Sequence, residues 1–123
     1  MSLSVLYVDD EPELREVGVM SLELDPGLEV RSCGSGQEAL AMLENWKPDL
    51  VLLDMMMPGM DGPATHVVIR ERYGDEFPVA YITARTQEAE QMRLKQQGAI
   101  GVLAKPFDPM TLAAQVRKLF DRV

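Results

Sequence analysis

Apolar residues gather along the chain in five short runs rich in β-branched side chains: SVLYV (4–8), LEVRS (28–32), LVLLD (50–54), FPVAYIT (77–83) and IGVLA (100–104). The third is almost continuously apolar, the pattern of a strand covered on both faces. Between the runs, apolar residues return every three or four positions, which is helical spacing. Leu14, Val17, Met20 and Leu24 do so behind Pro12, a residue suited to a first helical turn. Ala39, Leu40 and Leu43 do so ahead of Pro48, and Val67, Val68 and Ile69 precede a break at YGDEF. Residues 86–97 are polar and weakly amphipathic, whereas 109–120 set Leu112, Val116, Leu119 and Phe120 on one side. Strands joined through helices run parallel with right-handed crossovers. The alternation therefore predicts one α/β domain over 1–123, a (βα)5 three-layer sandwich whose parallel five-stranded sheet has the order 2-1-3-4-5. The first residues, MSL (1–3), are read as including vector-derived positions.

Composition narrows this picture without changing it. The chain has 123 residues, 46% of them hydrophobic and 26% charged, enough for one domain with a real core. Its formal net charge of -8 opposes general binding to nucleic acid or to an anionic membrane, and suits a cation or basic partner surfaces. Cys33 is the only cysteine, so no internal disulfide forms, and a reducing compartment, the cytoplasm, is expected. The N-terminus does not read as a signal peptide, and no apolar run approaches the ~20 residues of a spanning helix.

The candidate chemistry lies where the strands end. Strand 1 runs into Asp9, Asp10 and Glu11, strand 3 ends at Asp54, strand 4 ends at Thr83 followed by Ala84, and strand 5 runs into Lys105 and Pro106. Open parallel sheets bind ligands at their carboxyl ends, at the point where strand order reverses. Taken singly, each residue has a plain explanation: Asp9 and Asp10 as helix caps, Thr83 as a strand hydroxyl, Lys105 as a solvated charge. Asp54 resists one, because it closes an apolar run and a buried charge needs compensation. Together they surround one crevice with carboxylates, a hydroxyl and an ammonium. Close carboxylates repel by several kcal/mol at an effective dielectric of about 20, a strain that protons or a divalent cation relieve. Mg²⁺ suits such oxygen ligands, with Mn²⁺ as its substitute. The pocket then fits phosphoryl transfer, with the ionised Asp54 as nucleophile.

The segments VLYVDDEPELRE, PDLVLLDMMMPGMDG, YITA and GAIGVLAKPF, at their mutual spacing, resemble the receiver domain of two-component response regulators, a flavodoxin-like fold, across essentially the whole chain. The resemblance implies Asp54 as phosphoacceptor, with Lys105 and Thr83 bound to phosphoryl oxygens and the backbone N–H groups of Met56 and Ala84 completing the cradle. It implies a metal held by Asp10, Asp54 and the Met56 carbonyl, with Asp9 acting through water, and a cis peptide at Pro106. It further implies a sensor histidine kinase or a histidine phosphotransfer protein as donor, docking near the first helix and the rim of the site. It implies slow self-dephosphorylation, an unidentified downstream effector, and a monomer or weak phosphorylation-linked dimer that binds neither nucleic acid nor membrane. Met57 is expected to pack under the loop, Met55 and Met56 to edge the pocket, Arg85 to lie beside it, and His66 to sit on the surface of the third helix.

One position departs from the pattern. Many receivers carry Tyr or Phe three residues before the lysine, where this chain has Val102, which has no ring to relocate. Output is then expected through the loop after strand 4 and a shift of the fourth helix, with a phosphate sink or relay carrier as the alternative. Rivals of other classes fit less well. An aspartate-nucleophile phosphatase of the haloacid dehalogenase type needs Asp-x-Asp, and neither Asp9-Asp10-Glu11 nor Asp54-Met55-Met56 supplies it. A flavodoxin-like cofactor carrier needs a Ser/Thr/Gly phosphate loop where acids stand here. A degenerate receiver kept only for contact would not need the complete acceptor set.

Overall fold

The structure is a computed structural model and describes residues 2–121. Its elements run β1 (Leu3–Val8), α1 (Pro12–Glu23), β2 (Leu28–Cys33), α2 (Gly36–Leu43), β3 (Leu50–Asp54), α3 (Gly62–Tyr73), β4 (Val79–Thr83), α4 (Glu88–Gln96), β5 (Gly101–Ala104) and α5 (Leu112–Phe120). The five strands are parallel in the order β2-β1-β3-β4-β5, as the alternation predicts. Strand periodicity divides the core into two layers. Val5, Tyr7, Leu50, Leu52, Ala80 and Ile82 pack with Leu22 of α1 and Leu112, Val116 and Leu119 of α5. On the other face Leu6, Val8, Val51, Leu53, Val79 and Tyr81 meet Leu40 and Leu43 of α2, Ile69 of α3 and Leu94 of α4. No helix among the described residues is long and apolar enough to cross a membrane.

Boundaries differ from the sequence reading mainly where a polar group takes over the backbone. Ser35 caps α2 by accepting the Glu38 N–H at 3.1 Å, and Asp61 caps α3 by accepting the Ala64 N–H at 2.8 Å. Residues 109–111 lie outside α5, where Asp108 instead accepts the Met110 N–H in a turn.

Two helices present faces other than those their apolar residues predict. In α1 the side turned inward carries Gly18, Ser21 and Leu22, while Val17, Met20 and Leu24 are exposed. The reason lies in β1. A Cβ at position 18 would overlap the Tyr7 ring, so the glycine lets α1 settle over a bulky strand residue. In α3 three consecutive apolar residues cannot share one side of a helix. Ile69 is buried, Val67 is exposed, and the inner face at helical spacing is Gly62, Thr65, His66 and Ile69.

His66 is therefore a core residue, against the expectation of a surface one. Its Nδ1 lies 3.0 Å from the Tyr81 hydroxyl, and the two rings meet edge-on at 5.6 Å. Burial, helped by the nearby Arg70 charge, pushes its pKa down to about 4. Folded His66 stays neutral while the unfolded chain takes up a proton near 6.5, so its contribution to stability is complete above that value and is lost as pH falls towards 4. The shift corresponds to about 3 kcal/mol across this window. His66→Gln, which can still meet the Tyr81 hydroxyl, is expected to shift the slope of stability against pH by this contribution, so that the variant gains stability relative to the parent as urea titrations move from about pH 7 to 4.5. An unchanged pH slope would show that His66 does not titrate there.

Candidate functional site

The register of the sheet brings the four strand ends to one edge. Val8 pairs with Leu53, Asp54 with Ile82, and Thr83 with Ala104, so the residues that follow converge. They border a cleft of about 370 Å³ lined by Glu11, Asp54, Met56, Thr83, Arg85 and Lys105 among others. Asp9, Asp10 and Asp54 each present a carboxylate oxygen, all within 4.8 Å of one another. That donor set, oxygen throughout, fits a hard cation such as Mg²⁺ or Mn²⁺.

Asp54 is 3% exposed. Its Oδ2 accepts from Lys105 Nζ at 3.0 Å and its Oδ1 from the Met56 N–H at 3.3 Å. Burial pushes its carboxyl up to about 6, against the pull of the Lys105 ammonium and with a push from the Asp9 charge. Burial alone would lower Lys105, but its hydrogen bond to Asp54 and the charges of Asp54 and Asp9 outweigh that and raise it. The ammonium is thus firmly held, while the carboxylate remains strained. Lys105 Nζ also lies 3.3 Å from Asp9 Oδ2 and 3.5 Å from Glu11 Oε1, so one ammonium serves three acids.

Asp9 is fully buried and has two partners of its own. The Tyr7 hydroxyl donates to Oδ2 at 2.8 Å, and the Glu11 N–H donates to Oδ1 at 3.0 Å. Arg15 Nη1 holds the Asp9 carbonyl at 2.8 Å and ties α1 to the end of β1. Thr83 is also buried. Its hydroxyl lies 3.5 Å from Met55 Sδ and accepts the Arg85 N–H at 2.9 Å. The Lys105–Pro106 peptide is cis.

The three methionines after Asp54 separate by role. Met57 is buried in the α2/α3/α4 layer. Met56 is 55% exposed at the cleft, and Arg85 is exposed beside it. Met55 does not edge the pocket as expected from the sequence; it lies buried behind Thr83. The loop then folds back, with the Gly62 N–H donating to the Met55 carbonyl at 3.0 Å. A Cβ on Gly62 would stand 2.6 Å from the Asp54 carbonyl oxygen and 2.9 Å from the Tyr81 ring. Gly62→Ala is therefore expected to cost about 2 kcal/mol in chemical denaturation, as overpacking does; no loss would mean that the loop yields freely. Val102 pairs with Tyr81 across β4 and β5 and packs half-buried against the α2/α3/α4 layer.

Tyr7 escaped the sequence reading as a member of this cluster. A signal was present: a phenol inside an aliphatic strand needs a polar partner, and Asp9, two residues on, shares its face.

Known proteins match this architecture along nearly its whole length. A family model described as the response regulator receiver domain matches residues 5–117. The DNA-binding response regulator MtrA of Mycolicibacterium smegmatis is 37% identical over 99% of this chain and 52% of its own length. The transcriptional regulatory protein YvrH of Bacillus subtilis is 36% identical over 97% of this chain and 49% of its own. The chain thus spans about half the length of these curated relatives. Among solved structures, the chemotaxis response regulator CheY4 of Vibrio cholerae superposes with a TM-score of 0.87 at 31% identity, covering 97% of this chain and 99% of that one. The signal receiver domain of the NarL regulator of Mycobacterium tuberculosis does so with a TM-score of 0.83 at 32% identity, covering 95% and 94%. With its sheet order, its cleft of strand-end acids and these relatives in agreement, the chain belongs to the response regulator receiver domain family.

Proposed function

We propose that this chain is a phosphoacceptor switch of two-component signalling, in which Asp54 takes a phosphoryl group from the phosphohistidine of a sensor kinase or phosphotransfer protein. The observation that carries the reading is the ion pair of Lys105 with a buried Asp54, inside a group of three acids within reach of one cation. An Asp54 oxygen attacks phosphorus, a P–O bond forms, and the P–N bond to the donor histidine breaks with its electron pair leaving on the imidazole. No general base is needed, because the nucleophile is already a carboxylate. Lys105 Nζ passes from Asp54 Oδ2 to a phosphoryl oxygen, and the Thr83 hydroxyl leaves Met55 Sδ for another. The N–H groups of Met56 and Ala84 take the rest of the charge. Asp10, Asp54 and the Met56 carbonyl would hold Mg²⁺ directly and Asp9 through water; when bound, the ion neutralises phosphoryl charge.

Water later attacks the acyl phosphate and returns Asp54 to its carboxylate. The donor is read as docking near α1, whose exposed Val17 and Met20, with Leu24 at its C-cap and Pro109, line a shallow apolar groove of about 200 Å³. The relatives named as DNA-binding are about twice this length, and DNA binding is not assigned to these acidic 123 residues. The chain is read as a cytoplasmic signalling module, monomeric or weakly dimeric when phosphorylated, that passes its state to a downstream effector. Without a ring at Val102, the shift is read as passing through 84–97; an unmoved 84–97 segment in crystals of the beryllofluoride-bound protein would favour a phosphate sink.

Incubation with Mg²⁺ and a small phosphodonor, followed by mapping of the adduct, tests the reading. Label on Asp54 that is lost in Asp54→Asn and strongly reduced by a chelator is expected. Steady turnover of a free phosphoester, or label elsewhere, would overturn it.

A further inference from the structure

We propose that Tyr7 is a positioning residue of the acid cluster, its phenol fixing the Asp9 carboxylate in the orientation from which it serves a bound divalent cation. The inference rests on the metal reading given above and concerns a residue which that reading does not use.

A carboxylate turns readily about its last torsion, which is broad and nearly two-fold, so its direction is set by its partners. Asp9 is fully buried, with no bulk water to compensate for a lost partner. Lys105 is shared, standing 3.0 Å from Asp54, 3.3 Å from Asp9 and 3.5 Å from Glu11, and the proposed chemistry moves it away to a phosphoryl oxygen. The partners that stay are the Glu11 N–H on Oδ1 and the Tyr7 hydroxyl on Oδ2. Only the second comes from the core, and it comes from a rigid strand.

Getting a phenol there has a structural cost, and the chain meets it elsewhere. Gly18 stands mid-helix in α1, where glycine is unfavourable by about 1 kcal/mol relative to alanine. A Cβ at that position would occupy the space of the Tyr7 ring. A bulky aromatic in an aliphatic strand and a glycine inside a helix are each unexpected alone. Together they form one device that carries a hydroxyl under α1 to Asp9 at 2.8 Å.

Tyr81 supplies the control. It is equally buried in the same sheet, but its hydroxyl meets His66 on the opposite layer. Calorimetric titration of the whole chain with MgCl2, and separately with MnCl2, should show Tyr7→Phe binding about tenfold more weakly than the parent, the low end for loss of an outer partner of a metal site, since Asp9 would serve the ion through water. The double variant Y7V/G18A, which removes the phenol while refilling the space, should weaken binding similarly. Tyr81→Phe should stay within about twofold of the parent, since it removes a buried phenol without touching a ligand. Parent-like or tighter binding by both Tyr7 variants overturns the inference, as does equal weakening in Tyr81→Phe, which would make the effect one of general packing. A parent protein that binds neither ion overturns the metal reading itself, and is distinguishable because it needs no variant.

Discussion

Asp54→Asn is expected to stabilise the fold in metal-free buffer by up to about 3 kcal/mol near pH 8, while abolishing phosphoryl acceptance. The figure follows from a carboxyl moved from 3.8 to about 6, chiefly by burial. In the unfolded chain Asp54 ionises freely near 3.8; in the folded one it holds its proton up to about 6. Above that value the folded state carries the full penalty of a desolvated carboxylate that Lys105 compensates only in part. As pH falls from about 6 towards 3.8, the folded protein takes up the proton first and the penalty fades. Asparagine keeps an oxygen for Lys105 Nζ and the Met56 N–H without the charge, so its advantage should be largest at alkaline pH and nearly absent near pH 4. Urea midpoints at both pH values decide this; equal midpoints for the two proteins near pH 8 would mean that Asp54 is not strained. Added Mg²⁺ should narrow the gap if the proposed metal site is right, because an ion held by the carboxylate that the variant lacks stabilises the parent's folded state.

His66 makes the pH profile more informative than either residue alone. Its neutral folded form loses stability over roughly the interval in which Asp54 regains it, and by a comparable amount of about 3 kcal/mol. The parent should therefore look nearly flat from about pH 6.5 to 4 as far as these two groups decide it, whereas Asp54→Asn should expose the downward slope of His66. A site residue and a core residue on opposite sides of the sheet would thus mask each other's titration.

How much of this was legible in the sequence depends on the kind of signal. The sheet order was legible because alternation constrains topology strongly: a run such as Leu50–Leu53, apolar at every position, has only the centre of a parallel sheet to occupy. The strand-end acids stood out because polar residues interrupt those runs at their carboxyl ends. The helix faces were harder. In α1, Leu14, Val17 and Leu24 outweigh Gly18 on any hydrophobic count, yet the ring of Tyr7 decides which side approaches the sheet. In α3, apolarity drew attention to Val67 and Val68, although the spacing of Gly62, Thr65, His66 and Ile69 was the better guide. The two misplaced contributors failed in opposite ways. Tyr7 read as core packing yet reaches the site through its phenol oxygen on Asp9, whereas Met55, expected to edge the pocket, lies buried with only its thioether sulfur beside Thr83. Periodicity registers where such a side chain lies, but not where its last atom points.

Lys105→Met should have the opposite effect to Asp54→Asn and should reveal how the cluster is balanced. The ammonium is the one cation paired with the carboxylates of Asp54 and Asp9 among the described residues, both of them essentially removed from water. Methionine keeps the length and apolar stem of lysine, so the loss reports charge more than volume. Removing one partner from a buried ionic group typically costs about 3–5 kcal/mol, because the remaining charge stays buried and unpaired; about 3 kcal/mol is expected near pH 8 without metal. Three treatments should each restore part of it: acidification, which lets Asp54 protonate, and at a higher pH than in the parent because the pull of the ammonium is gone; Mg²⁺, which replaces one cation by another; and Asp54→Asn in the same chain. The last is the most diagnostic. If Lys105 acts through Asp54, the lysine substitution must cost clearly less in the Asp54→Asn background, with a coupling above about 1 kcal/mol. A cost that is the same in both backgrounds would locate its effect in Asp9 and Glu11 or in packing alone. Phosphoryl uptake should not follow stability in this series: Lys105→Met should regain part of its stability with Mg²⁺ yet still label slowly, because a restored charge balance does not return the ammonium that the proposed function brings to the phosphoryl oxygen.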